Sequence, residues 1–154
     1  MTELSAIFRR NEIPFGYRIG YLFNFFTGPV YKSVERDLGI IRPDFATMFC
    51  IAHLPIVTAR DVSLLTGVPK NSVSRAVSKL VRRRMIKRTN DDADARRVIL
   101  TLTPAGRTLY DSILRQFQDR ETRMVKVLSA AEQRTLDHLL AKLVLRDDGW
   151  AEDY

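Results

Sequence analysis

A lone cysteine, Cys50, and two histidines, His53 and His138, are all the chain offers of the side chains that most often bind transition metals or act as nucleophiles. One cysteine cannot close an internal disulfide, which fits a reducing compartment. The two histidines are far apart in sequence, and no Cys/His group has the spacing of a zinc site. There is no glycine-rich phosphate loop, and nothing near Cys50 would mark it as a nucleophile. Neither a cofactor, a metal nor catalysis is therefore expected. No run approaches the roughly eighteen uncharged apolar residues that a membrane helix needs. The first ten residues lack the order of a secretion signal, because Arg9 and Arg10 follow the apolar residues instead of preceding them. A cytoplasmic location without a membrane partner is expected. Repeats and low-complexity segments are also lacking. What remains, 45% apolar and 28% charged over 154 residues, is the composition of one soluble globular domain spanning 1–154.

The charge is unevenly placed. Between residues 70 and 97 stand ten Lys and Arg and three Asp, an excess of seven, and the whole chain is also formally +7. The rest of the sequence sums to zero, so the basic excess is a local patch. That patch begins inside residues 58–88, which read as two short helices joined by a tight turn. Thr58 predicts an N-cap, Val62, Leu64 and Leu65 an apolar side, and Gly67 and Pro69 the stop. In the second helix Val73, Val77, Leu80 and Val81 form one stripe. Asn71, Ser72, Arg75, Ser78, Lys79 and Arg82 fall on the other side. Amides, hydroxyls and cations on one face suit base edges and phosphates. Lys70, Asn71, Ser72, Ser74, Arg75 and Lys79 are the candidate major-groove readers, and Arg82, Lys87 and Arg88 the candidate phosphate contacts. A solvated charged face is the plainer alternative, but here the cations share a face with the polar readers.

Ahead of this stretch, Phe15, Ile19, Leu22, Phe26, Val30 and Val34 repeat at helical spacing over residues 14–36. Tyr17, Tyr21, Phe23, Phe25 and Tyr31 add apolar surface off that stripe, and more than one apolar face suggests a partner chain or a ligand pocket. Gly28 and Pro29 predict a kink. A further helix is expected over 43–54, with Phe45, Met48, Phe49, Ala52 and Leu54 mostly inward, and Ile56 and Val57 read as a very short strand. Residues 85–89 and 97–103 alternate and are β-branched, with a polar turn between them, and so predict a hairpin. Asp91, Asp92 and Asp94 in that turn suggest a cation site less well than a plain polar turn. Thr103 and Pro104 open a long helix with Leu109, Ile113, Phe117, Met124 and Leu128 on one side, about 37 Å if it runs to Leu128. Ser129 and Glu132 form a capping box before a last helix carrying Leu136, Leu139, Leu140 and Leu143.

This order of elements resembles the MarR family of bacterial winged helix-turn-helix transcriptional regulators. The most specific similarity is residues 80–103 with Pro104, Ala105 and Gly106: the end of a recognition helix, a wing with an Asp-x-Arg tip and the start of the next helix. The resemblance implies a mainly α fold with a small β-wing. It also implies a DNA-binding core at about 43–103 and dimerisation helices at about 14–36 and 104–146. By this resemblance Arg96 enters a minor groove, Asp94 orients it, and Arg97 joins them on the wing. Arg84 stands where the family commonly has glycine, so either a left-handed non-glycine residue or a different helix end is expected.

The expected function is sequence-specific regulation of transcription, as a repressor, by a homodimer on a pseudo-palindromic operator in double-stranded DNA. The alternatives are an architectural protein that coats DNA without sequence preference, and a module for acidic partners. Phe15, Tyr17, Tyr21, Phe23, Cys50 and His53 are candidates for a pocket taking a small aromatic ligand, with plain core and dimer packing as the competing reading. Cys50 and His53, three residues apart, are read more readily as core packing than as a redox pair.

Overall fold

The structure, a computed structural model, describes residues 3–91, 94 and 97–145. After a short 3-10 segment, Glu3–Phe8, come α1 (Pro14–Leu38), α2 (Arg42–His53), α3 (Ala59–Thr66) and α4 (Lys70–Arg82). The hairpin β1 (Ile86–Asn90) and β2 (Val98–Leu102) follows, then α5 (Pro104–Val125) and α6 (Ala130–Val144). The described residues are thus mainly helical with one two-stranded antiparallel sheet.

Each boundary has a local cause. Pro14 starts α1 where its missing N–H is not needed. Gly39, at φ 61, ends it: Gly39 N–H donates to the Glu35 carbonyl and Ile40 N–H to the Val34 carbonyl. Thr58 caps α3 reciprocally with Asp61, and Gly67, at φ 62, closes it. Arg84 takes the left-handed conformation at φ 57 that the sequence made one of two outcomes. Thr103 caps α5 by accepting from Gly106 N–H, and its own hydroxyl donates to the Arg84 carbonyl at 2.7 Å. The turn before β1 is thereby fastened to the start of α5. Gly106 sits so close that a Cβ there would lie 1.9 Å from the Met85 carbonyl oxygen, which only glycine tolerates.

α1 runs on through Gly28 and Pro29. Proline leaves the Phe25 carbonyl without its usual helical donor, and Arg120 of α5 supplies one. Its Nη2 donates to Phe25 O and its Nε to Phe26 O at 2.7 Å. Where the sequence predicts a kink, Pro14–Leu38 continues as one helix and the structure holds a joint between α1 and α5.

The core lies among the middle elements: Ile40, Met48, Val62, Val73, Leu80 and Ile113 are all completely buried. Several expectations need correction. Of the α1 stripe, Val30 and Val34 are buried, but Phe15, Ile19 and Leu22 are exposed, because the first half of α1 reaches past the core. Phe49 and Leu54 lie at the surface, since Phe45, Met48, Cys50 and Ile51 already fill the inner face of α2. Ile56 and Val57 form no strand: the Val57 carbonyl accepts from Leu100 N–H at 2.9 Å, a solitary rung beside β2. α5 stops at Val125, about 33 Å long, and Met124 on its apolar side is exposed.

Candidate nucleic-acid interface

Helix α4 rests on α2 and α3 through Val73, Ala76, Val77 and Leu80, all buried. That packing turns Lys70, Asn71, Ser74, Arg75, Ser78 and Arg82 to the outside, with Ser72 half-buried. Arg75 lies along its own helix, its Nε donating to the Asn71 carbonyl at 3.4 Å, a long bond that a better acceptor would displace. In the hairpin, Ile86 pairs with Leu102 and Asn90 with Val98. Strand alternation puts Arg88 on the side of the buried Ile86 and Lys87 on the other. Arg88 accordingly reaches α4, its Nη2 3.5 Å from Ser78 Oγ. The two cations grouped together from sequence therefore serve opposite faces of the wing.

Two assigned readers are occupied elsewhere. Lys79 leaves the outer face of α4: its Nζ lies 2.5 Å from Asp44 Oδ2 and 2.6 Å from the Gly39 carbonyl. The helical wheel places it beside Arg75 and Arg82, but a buried carboxylate 35 residues earlier in the chain captures it. Arg97 pairs with Asp91 at 3.5 Å and lies close enough to help hold the Asp61 carboxyl below its ordinary range. The main cause of that lowering is the Thr58 backbone N–H. Arg97 thus closes the turn at the tip of the wing, and its N–H donates to the Asp94 carbonyl at 2.8 Å. Asp94 is exposed. Arg96 lies outside the described residues.

Between the start of α3, α4 and the wing runs an open groove of about 730 Å³, bordered by Arg60, Asp61, Ser74, Arg88, Asp94 and Arg97. Arg60 was missed from sequence, because it lies outside the basic run and only the helix-turn-helix geometry carries it to the same side. A cation at the first turn of this helix is the signal that could have found it.

Among the described residues, the six side chains proposed for an effector pocket are divided between separate contacts. Tyr21 packs on Phe8 and Phe25, with ring centroids 4.8 and 4.3 Å apart, and Phe23 lies under Arg42. Phe15 is 76% exposed. Cys50 is buried in the core, and burial raises its thiol pKa, the opposite of a reactive thiolate. His53 stacks on Phe49, its Nδ1 2.9 Å from the Phe49 carbonyl and 3.5 Å from the Tyr110 hydroxyl. An aromatic first helix set against the second suggested a shared pocket, but the α1 aromatics and the α2 pair make separate contacts. Among the described residues, no group of three or more His, Cys, Asp or Glu is placed to hold a metal ion, and no helix is long and apolar enough to cross a membrane.

A capped helix, a tight turn, a second helix with an outward polar and cationic face, and a hairpin folded beside it define a winged helix-turn-helix DNA-binding protein. The profile of the MarR family matches residues 38–97. A putative transcriptional regulatory protein for the hcr operon of Thauera aromatica is 31% identical over 151 residues, covering 96% of this chain and 87% of that protein. The multiple antibiotic resistance protein MarR of Salmonella typhimurium is 27% identical over 146 residues, covering 94% and 99%. Among solved structures, Bordetella bronchiseptica BpsR superposes with a TM-score of 0.73 at 20% identity, covering 90% of this chain and 99% of that one. Its DNA binding is regulated by 6-hydroxynicotinic acid. The chain belongs to the MarR family, and its fold is that of a DNA-binding transcriptional regulator.

Proposed function

We propose that two copies of this chain, each a single winged-helix domain, form a symmetric homodimer that represses transcription from a pseudo-palindromic operator. The carrying observation is the outer face of α4, where Asn71, Ser74, Arg75 and Arg82 stand exposed on a helix whose other side is fixed in the core. Lys70, Asn71, Ser72, Ser74 and Arg75 read base edges in the major groove, while Arg82, Lys87 and Arg88 hold phosphates. Arg60, on the same groove as Arg88, adds a phosphate contact. On the family's Asp-x-Arg pattern, Arg96 enters the flanking minor groove with Asp94 beside it, and Arg97 supports the wing from Asp91.

The dimer is proposed from the apolar side chains left open along α1 and α6, such as Phe15, Leu22, Leu139 and Leu143. A small aromatic ligand, of the kind named for BpsR, is proposed to release the operator from a pocket completed by the second copy. Selection from a random duplex pool at physiological salt tests the reading: enrichment of one inverted repeat is expected. Uniform recovery of unrelated duplexes would instead establish the DNA-coating alternative.

A further inference from the structure

The last two carbonyls at the end of α1 belong to Leu38 and Gly39, and like all helix-terminal carbonyls they lack helical donors. Two cations from α4 meet them. Arg83 Nη1 donates to Leu38 O at 2.9 Å, and Lys79 Nζ donates to Gly39 O at 2.6 Å. Lys79 and Arg83 are four residues apart and so share one face of α4. The same Lys79 Nζ reaches Asp44 Oδ2 at 2.5 Å, in the first turn of α2. Asp44 is completely buried, and its Oδ2 also accepts from Ile41 N–H at 3.0 Å. Asp44 Oδ1 is buried with no hydrogen-bond partner among the described residues, so the carboxylate relies on Lys79 to balance its charge. One ammonium therefore ties together the end of α1, the start of α2 and the recognition helix.

Apolar packing of ridges into grooves sets a crossing angle only to within about 15–20°. A buried ion pair with two further directed hydrogen bonds constrains direction as well as distance. α4 packs mainly on α2 and α3, so the links from Lys79 and Arg83 are a direct joint between α1 and α4. α1 carries open apolar surface at its other end.

We propose that Lys79 and Arg83 are positioning residues, a clamp that sets the angle of recognition helix α4 against dimerisation helix α1 and so fixes which half-site spacing the dimer accepts. The proposal rests on the dimeric operator reading above. In a symmetric dimer the separation of the two recognition helices follows from this angle, and half-site spacing reports it.

The test uses the full chain and a duplex that it selects from a random pool, remade with its half-sites moved one or two base pairs closer or farther apart. A fully random duplex serves as control. In Lys79→Met/Asp44→Asn both links of the ammonium are gone and only the Arg83 link to Leu38 remains, while asparagine still accepts from Ile41 N–H. The parent should discriminate against altered spacings by about tenfold or more, a change comparable with losing one base contact. The double variant should lose most of that discrimination while keeping dimer mass and its affinity for the random duplex. Undiminished spacing preference in the folded double variant overturns the proposal. An equal loss on every duplex, random included, also overturns it, because Lys79 would then be a phosphate contact. If the double variant does not fold, Arg83→Met decides, since it removes only the Leu38 link: partial loss of spacing preference supports the clamp, and none overturns it. A parent that sediments as a monomer, or that shows no spacing preference, refutes the dimeric reading, and the clamp falls with it.

Discussion

The middle of the chain and its two ends treat apolar side chains in opposite ways. Between Ile40 and Ile113 a set of large aliphatics closes on itself, and Met48, Val62, Val73 and Leu80 are wholly out of water, although Leu64 and Leu65 stay at the surface. In the first half of α1 and along α6 they face outward: Leu139 is 51% exposed and Val144 67%. Among the described residues, α6 buries none of its own. Yet both regions have well-formed helices, and α6 has as complete a capping box as α3. Helix formation is settled locally, whereas burial of a helix face requires something to face. The middle carries its own partner surfaces; the ends present surfaces that a second copy would cover.

The largest expected effect tests that contrast directly. Leu139→Asp/Leu143→Asp places carboxylates on the open face of α6, and in a symmetric dimer each change counts twice. At about 1.5–3 kcal/mol for each leucine buried, dimerisation should weaken by more than about 5 kcal/mol. Sedimentation equilibrium should then show a monomer, with the circular dichroism of the middle region retained. A persisting dimer would mean that α6 is not the interface. Next comes Gly106→Ala, which forces a methyl against the Met85 carbonyl and should cost about 3 kcal/mol in urea unfolding, the upper range for overpacking. An unchanged midpoint would mean that the start of α5 is looser than the core it adjoins.

Arg75→Ala should weaken binding to the selected duplex by about 1–3 kcal/mol and relax preference at one position in each half-site, without lowering the melting temperature. Equal weakening on all duplexes would make Arg75 a phosphate contact. Thr58→Ala removes the side-chain half of the α3 cap and should cost about 1 kcal/mol by thermal unfolding. Its partner Asp61 also gives a pH signature. The folded carboxyl is held below its ordinary value, first by the Thr58 N–H, so its contribution is full above that value and declines as pH falls through the lower folded one. Stability of Asp61→Asn should therefore fall less steeply than that of the parent through this acid window. The smallest effect is Arg84→Gly, which relieves a left-handed side chain and should stabilise by under about 1 kcal/mol.

What could be read from the sequence follows the range of the forces involved. Thr58, Thr103 and Ser129 cap their helices as expected, because each side chain bonds a backbone N–H only three residues on, and Asp61 completes a box with Thr58 that the sequence reading did not name. The hairpin also stands where its alternation places it, and the outward face of α4 follows from its apolar stripe. Lys79 could not be read in this way. Its wheel position is beside Arg75, but four methylenes let its ammonium turn to an acid that no local pattern marks. Arg97 likewise left the reading group for Asp91 across the turn, and the pocket residues of α1 and α2 have separate surroundings.

Sequence alone determined where the capped helices begin, which face of α4 is apolar and where positive charge gathers, since these depend on neighbours a few residues apart. Only the tertiary structure decided which of the gathered cations remain free for DNA. That outcome depends on where distant acids and carbonyls are carried: Asp44 and Gly39 arrive beside Lys79, and Leu38 beside Arg83. A buried acceptor left without a donor is costly, so the fold draws long cationic side chains to those places before any surface function can use them.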